Sequence, residues 1–349
     1  GTTDMRLVRH LTDLPFDKLS GGSVITIGAF DGIHLGHRQL LRRVVEVARQ
    51  TGRPSIAMSF EPTPKEFFAG DSPPARLMRF REKLEGLDER KIELFYCPRF
   101  SEAMRNIPAD DFIRRVLVHG LNARHIVVGD DFHFARRREG SIEDLLRVAP
   151  ALGMTIEQVP SILVGDTRVS STAIRVALEA GDLDRATALL GRPYRMSGRI
   201  VRGRQVGRSL GYATANVDLR RRQSAVKGIY AVRIHGLPEG AVDGVASVGT
   251  RPTFDLEKPL LEVHLFDFDR DIYGEYIHVD FVRHLRDEAR FDSVEDLVAQ
   301  MKIDEENARS ALRTVTVCSQ NNITHALCCL DVGCNARCDR RPDYKVGHH

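Results

Sequence analysis

Two imidazoles stand three residues apart in Gly28-Ala29-Phe30-Asp31-Gly32-Ile33-His34-Leu35-Gly36-His37, between an apolar run of strand length and a segment of helical period. Glycines let backbone come close to a ligand, and a helix start offers free N–H groups and the positive end of its dipole to an anion. Histidines placed there can donate to phosphate oxygens as charge builds up during displacement. The spacing is neither G-x-G-x-x-G nor G-x-x-x-x-G-K-[ST], which disfavours a dehydrogenase and a P-loop enzyme. Ser170-Ser171-Thr172-Ala173-Ile174-Arg175 adds three hydroxyls at a helix start and a guanidinium one turn inside it. Taken alone this is an N-cap. Beside the histidines, Arg175 becomes a bidentate partner for the far phosphates of a nucleotide.

A second constellation runs from Gly198 to Asn216. Alone, its glycines and arginines read as a solvated hairpin. Read chemically, Gly203, Gly207 and Gly211 permit close backbone approach to phosphates. Thr214 and Asn216 supply hard oxygens two residues apart, suited to magnesium, which keeps several waters and bridges nucleotide phosphates. Leu261-Glu262-Val263-His264-Leu265 places a carboxylate in an apolar run. Strand alternation puts Glu262 and His264 on the face opposite Leu261, Val263 and Leu265. An outward-facing glutamate is the ordinary fate of such a residue.

The elements that must position these groups fall into two sets, and 349 residues exceed the roughly 100–200 expected of one domain. Apolar runs at Val24–Ala29, Ser55–Phe60, Ile92–Tyr96, His125–Val128 and Met154–Val159 alternate with helical periods at Arg38–Gln50, Arg79–Leu87, Ala109–His119 and Ile142–Leu152. That is the pattern of a parallel sheet covered on both faces. After Gly191-Arg192-Pro193, short alternating runs at Met196–Val201, Ile229–Ile234, Val242–Val248, Leu261–Phe266 and Ile277–Val282 predict an antiparallel barrel or sandwich. A closing amphipathic helix is expected from Ser293 to Leu312, with Ser293 as N-cap. The expected division is 5–190, 191–313 and an atypical tail, 314–349.

With 42% hydrophobic and 28% charged residues, the chain has the composition of a folded globular protein, not a disordered or fibrous one. Fifty-one Lys and Arg against 48 Asp and Glu leave +3, too small a balance to mark a nucleic-acid partner. The basic runs Arg136–Arg138 and Arg220–Arg222 lack interleaved stacking aromatics and read as solvated loops. No stretch approaches the roughly 18–20 apolar residues of a membrane span, and the start lacks the apolar middle of a secretory signal. A cytoplasmic location is expected. Of six cysteines only Cys97 precedes residue 318, and it reads as a small buried apolar residue. The tail shows no helical or strand period. It is read as a non-structural extension, with a zinc knuckle around Cys334 and Cys338 as the alternative, and the residues before Met5 read as a similar remnant.

The motifs resemble those of the HxGH nucleotidyltransferases and, within them, the prokaryotic bifunctional riboflavin kinase/FMN adenylyltransferase (FAD synthetase) family. Its G-x-F-D-G-x-H-x-G-H, F-x-P-x-P, G-x-D-F-x-F and S-S-T-x-I-R signatures stand as Gly28–His37, Phe60–Pro64, Gly129–Phe134 and Ser170–Arg175. The kinase signatures G-x-x-x-x-G-x-x-x-G-x-x-L-G-[FY]-P-T-A-N and G-x-R-P-T-F stand as Gly198–Asn216 and Gly249–Phe254. Departures are Ala135, where the family has glycine, and Ala213, where it has proline.

The resemblance covers about Gly21 to Leu312. It implies a Rossmann-like α/β nucleotidyltransferase domain followed by a riboflavin kinase β-barrel with a C-terminal helix. It further implies that His34, His37 and Arg175 act on ATP, with Gly28, Phe30, Asp31, Gly36, Ser170, Ser171 and Thr172 around the nucleotide. Pro62, Asp131, Phe132, Phe134 and Arg286 are expected to bind flavin, and Glu262 to be the kinase base. Magnesium on Thr214 and Asn216 is the expected cofactor. ATP, riboflavin, FMN and FAD are the expected substrates or products, with no nucleic acid or membrane partner and room for a homo-oligomer. The alternatives are another HxGH transferase acting on pantetheine phosphate or nicotinamide mononucleotide, and a flavin- or nucleotide-binding module without turnover.

Overall fold

The computed structural model describes residues 5–130, 132–134, 138, 140–202, 214–252 and 257–331. Two compact units divide between Ser171 and Thr172, with Ala75–Leu77 grouped in the second. The expected boundary near 190 would instead leave residues 172–190 with the first.

The first unit is built on a six-stranded sheet. Its strands are β1 (Arg6–Val8), β2 (Ser23–Ile27), β3 (Ser55–Met58), β4 (Leu94–Tyr96), β5 (Ala123–Gly129) and β6 (Thr155–Val159). The order is β1-β4-β3-β2-β5-β6, with every pairing parallel. The three helices used below are α1 (Leu35–Thr51), α2 (Pro64–Ala69) and α3 (Phe80–Glu89). β2 and β3 are buried along their whole length, as strands covered on both faces must be. Chain order runs one way from β2 through β3 to β4 and then resumes on the other side at β5. The loops after β2 and β5 therefore flank the switch point, where open α/β sheets bind ligands. β1 has only three residues, too few to carry a period. The helix expected over Ala109–His119 is a short α segment, Ala109–Asp111, continuing as π-helix over Phe112–Gly120. The one expected over Ile142–Leu152 stops at Val148, and Pro150 opens a separate 3-10 turn, because proline has no N–H to continue the ladder.

The second unit opens with α4 (Ser171–Glu179), whose first residue still belongs to the first unit, and α5 (Leu183–Leu190). Six antiparallel strands follow: β7 (Tyr194–Val201), β8 (Thr214–Asp218), β9 (Gly228–Leu237), β10 (Gly240–Pro252), β11 (Glu257–Leu265) and β12 (Tyr276–Arg286). They close in the order β7-β8-β11-β10-β9-β12. Of the two architectures left open, the barrel is the one formed. Alternate residues such as Met196, Val232, Ala246, Val263 and Val279 are fully buried, the inner set demanded by the two-residue period. A last helix, α6 (Val294–Asp331), is capped by Ser293, whose hydroxyl accepts the Asp296 N–H at 3.1 Å. Its Ala308 and Leu312 cover Ala231 and Phe266. The helix was expected to end near Leu312. It continues to Asp331, so that part of the tail has helical backbone despite its weak period, while residues 332–349 lie outside the described residues.

One basic run departs from its reading. Arg220 and Arg222 are exposed, but Arg221 is buried at 8% exposure. It donates to the Arg76 carbonyl at 2.7 Å, the Leu77 carbonyl at 3.2 Å and the Tyr194 hydroxyl at 3.4 Å. Backbone oxygens that would otherwise be orphaned draw the guanidinium inward.

Candidate active sites

In the first unit the two imidazoles meet at the mouth of α1. His34 is the N-cap residue, and its ring Nδ1 accepts the His37 backbone N–H at 3.3 Å. That bond leaves the proton of the neutral ring on Nε2. The two rings stack, centroids 3.6 Å apart and 14° from parallel. Gly36 makes this possible, because a Cβ there would lie 3.3 Å from Cε1 and Nδ1 of His34. Phe30 meets the His37 ring edge-on at 5.3 Å. The loop holding it is forced into left-handed backbone at Phe30 (φ 50°), Gly32 (φ 89°) and Ile33 (φ 41°), conformations that L side chains adopt only under constraint.

Burial sets the charge state of the pair. Removal from water lowers His34 to about 4, against a weaker raising influence from its backbone hydrogen bond. Burial first, then the charges of His34 and Lys83, hold His37 well below the ordinary imidazole range. Both rings are therefore neutral at physiological pH, as stacked imidazoles must be to avoid like-charge repulsion. His37 Nδ1 is buried and has no hydrogen-bond partner among the described residues.

Asp31 ties the loop down. Its carboxylate accepts the Met78 N–H at 2.9 Å and its carbonyl accepts the Ser171 hydroxyl at 2.8 Å. Ser171 thus reaches the histidine loop, while Ser170 is half-buried and Thr172 exposed. Gly28 lies under the Phe30 ring, where a Cβ would come within 3.3 Å. Pro62 follows β3 after a cis bond to Glu61, and Thr63 then caps α2 in a reciprocal box with Glu66. Phe132 and Phe134 stack at 5.6 Å. Phe134 belongs to the core, packed against Phe112 at 5.4 Å. Asp131 lies outside the described residues. A separate surface cavity of about 520 Å³, lined in part by Arg49, Arg53 and Glu93, sits at the end of α1 away from His34.

In the second unit Arg175 lies on α4, and its Nε donates to the Ala75 carbonyl at 2.6 Å. Asn216 on β8 is directly opposite Glu262 on β11, and Thr214 opposite His264. Glu262 also faces Ser247 on β10. Directly opposed residues share a face of an antiparallel pair, and the flanking Leu261, Val263 and Leu265 are buried on the other. Asn216, Glu262 and Ser247 are thus one polar row across three strands, with Thr214 two residues along on the same face. Ser247 gave no signal in the sequence, since its place depends on register. Asn216 is 5% exposed, and its Oδ1 has no hydrogen-bond partner among the described residues. A buried carbonyl-type oxygen without a donor suits a hard cation. Gly203, Gly207 and Gly211 lie outside the described residues.

Arg286 is held by a bidentate pair with Asp304 of α6, at 2.9 and 2.8 Å, and also donates to the Asp287 carbonyl. Cys97 is a free, buried thiol raised by burial.

The FAD synthetase family matches residues 17–173 and the riboflavin kinase family residues 190–312. Bifunctional riboflavin kinase/FMN adenylyltransferase of Escherichia coli (strain K12) is 44% identical over 305 residues, covering 87% of this chain and 97% of that protein. The protein of the same name from Haemophilus influenzae is 39% identical over 307 residues, covering 88% and 99%. A crystal structure described as a macrolide-efflux protein from Streptococcus pneumoniae aligns with a TM-score of 0.74 and 32% identity, over 87% of this chain and 98% of that one. Among the described residues no helix is long and apolar enough to cross a membrane. With both halves matched in order and relatives aligned nearly end to end, the chain belongs to the bifunctional riboflavin kinase/FMN adenylyltransferase family.

Proposed function

We propose that the barrel transfers the γ-phosphoryl group of ATP to the 5′-hydroxyl of riboflavin, giving FMN and ADP, and that the first unit then joins FMN to the adenylyl group of a second ATP. In the second step an FMN phosphate oxygen attacks the α-phosphorus and pyrophosphate leaves, giving FAD. The observation that carries the reading is the presence in one chain of a neutral, stacked imidazole pair at a helix mouth and a polar Asn216–Glu262 row on a barrel.

In the first unit, α1 directs its dipole at the triphosphate, and the His34 Nε2–H and the His37 ring donate to oxygens gaining charge. The hydroxyls of Ser170 and Ser171 add donors to the phosphates. Pro62 and Phe132 border the flavin side. In the barrel, Glu262 accepts the proton of the attacking hydroxyl. Thr214 and the unpartnered Oδ1 of Asn216 would hold magnesium, which when bound neutralises phosphate charge. No covalent intermediate is needed, so orientation and charge stabilisation carry both reactions. The partners in this reading are small molecules, and the location is the cytoplasm.

The test supplies riboflavin, ATP and magnesium and separates FMN from FAD. His37→Ala should lower FAD formation by roughly 10²–10³-fold while FMN still accumulates. Equal loss of both products, or no turnover by the unmodified chain, overturns the reading.

A further inference from the structure

Asp130 has no part in the chemistry above, yet three donors converge on its carboxylate. The Ser161 N–H bonds one oxygen at 3.0 Å, and the Ser161 hydroxyl and the Arg168 guanidinium bond the other at 2.7 and 2.9 Å. Asp130 follows Gly129, the last residue of β5, in a turn where the Phe132 N–H donates to the Gly129 carbonyl at 3.3 Å. It therefore stands at the switch point of the sheet. Its two partners are the feet of one hairpin, in which Leu163–Val164 pairs antiparallel with Thr167–Arg168 and the Val169 N–H donates to the Ile162 carbonyl at 2.9 Å. Ser161 leads into this hairpin and Arg168 leads out of it. Ser170 and Ser171 come next, and the Ser171 hydroxyl donates to the Asp31 carbonyl of the histidine loop at 2.8 Å. Asp31 is fixed on its other side by the Met78 N–H, two residues before α3.

Stability alone does not account for this clamp. The side chains of Asp130 and Arg168 are 39% and 48% exposed, and ion pairs open to water add little to folding. What the carboxylate does is geometric: it ties both feet of the hairpin to the end of β5. We propose that Asp130 is a positioning residue for adenylyl transfer, holding the hairpin so that Ser170 and Ser171 stay seated on the histidine loop at the mouth of α1. The proposal rests on the adenylyl-transfer reading of this site. The Arg168 charge offsets that of Asp130, so the clamp adds little net repulsion of polyphosphate. Without it the hairpin can swing about β5, and a shift of about 1 Å in a positioning group is enough to slow a reaction substantially.

The full-length chain carrying Asp130→Ala or Asp130→Asn tests this with FMN and ATP supplied directly. In Asp130→Ala, kcat/KM for ATP in FAD formation should fall about tenfold, with melting temperature and riboflavin phosphorylation little changed. Asp130→Asn keeps one acceptor oxygen and should lose less. The decisive readout is coupling to Ser171. In a Ser171→Ala background the tie to the histidine loop is already cut, so adding Asp130→Ala should lower kcat/KM by less than about threefold. An undiminished tenfold loss in that background, or wild-type kcat/KM in Asp130→Ala, overturns the proposal. So does failure of both single variants to fold, which would make the clamp purely structural. Failure of the underlying reading looks different, because then the unmodified chain itself makes no FAD.

Discussion

Glu262 stands directly across the β8–β11 ladder from Asn216, forty-six positions away in the chain, and the buried Asn216 Oδ1 has no hydrogen-bond partner among the described residues. A proton acceptor and a cation ligand are thus neighbours on one face. Glu262→Gln keeps the shape and removes the basicity. Riboflavin phosphorylation should fall by about 10²–10⁴-fold, with FMN supplied directly still converted to FAD. Product separation checks both, and wild-type phosphorylation by this variant would remove Glu262 from the chemistry.

Gly36→Ala separates helix stability from site geometry. Alanine is the better helix former by up to about 1 kcal/mol, so the melting temperature should hold or rise. The added methyl would lie 3.3 Å from Cε1 and Nδ1 of His34, so the ring must shift by a few tenths of an ångström, and a donor moved that far should cost roughly severalfold in rate. FAD formation should drop while the fold gains. A variant as active as the parent would show that the ring position is not critical.

The lowered His34 makes acid sensitivity predictable. An unfolded imidazole takes up a proton near 6.5, whereas the folded one does so only at about 4. Between these values the unfolded state binds more protons, so stability is full above 6.5 and falls as pH drops toward 4. The loss attributable to this group is up to about 3 kcal/mol. Denaturant titrations of the chain and of His34→Gln from pH 7 to 4 should show a shallower pH slope in the variant.

Arg286 was expected to bind flavin, and in the barrel it neutralises buried Asp304. Arg286→Leu leaves that carboxylate without its counter-charge and should cost about 3–5 kcal/mol of barrel stability. Thermal melts read this directly. A variant of unchanged stability but weakened flavin binding would favour the ligand role.

What the chain announces locally, it announces well. His34 and His37 are three residues apart on one junction, so proximity in the chain alone groups them, whereas the strand that carries Thr214 and Asn216 was not expected, because that stretch reads as the end of a glycine-rich loop. The face that Glu262 occupies was legible because its apolar neighbours set the alternation, whereas its expected role came from the resemblance alone. Arg221 was misjudged because three arginines in a row look solvated, and nothing nearby in sequence reveals the Arg76 and Leu77 carbonyls that hold one of them. The Asp31–Met78 bond and the facing of Ser247 with Glu262 depend on long-range packing and register, which composition does not encode.

The two sheets differ in their exposure to misassembly. In the barrel β12 hydrogen-bonds back to β7, so every strand of the ring has two neighbours and no row of amides is left to recruit another chain. The open sheet ends in β1, only three residues long, and in β6, where Glu157 is gripped by Arg43 at 2.6 Å and His125 at 2.9 Å. A short margin on one side and a charged one on the other discourage strand addition from a second molecule, so self-association by extension of the six-stranded sheet should be resisted at both of its margins.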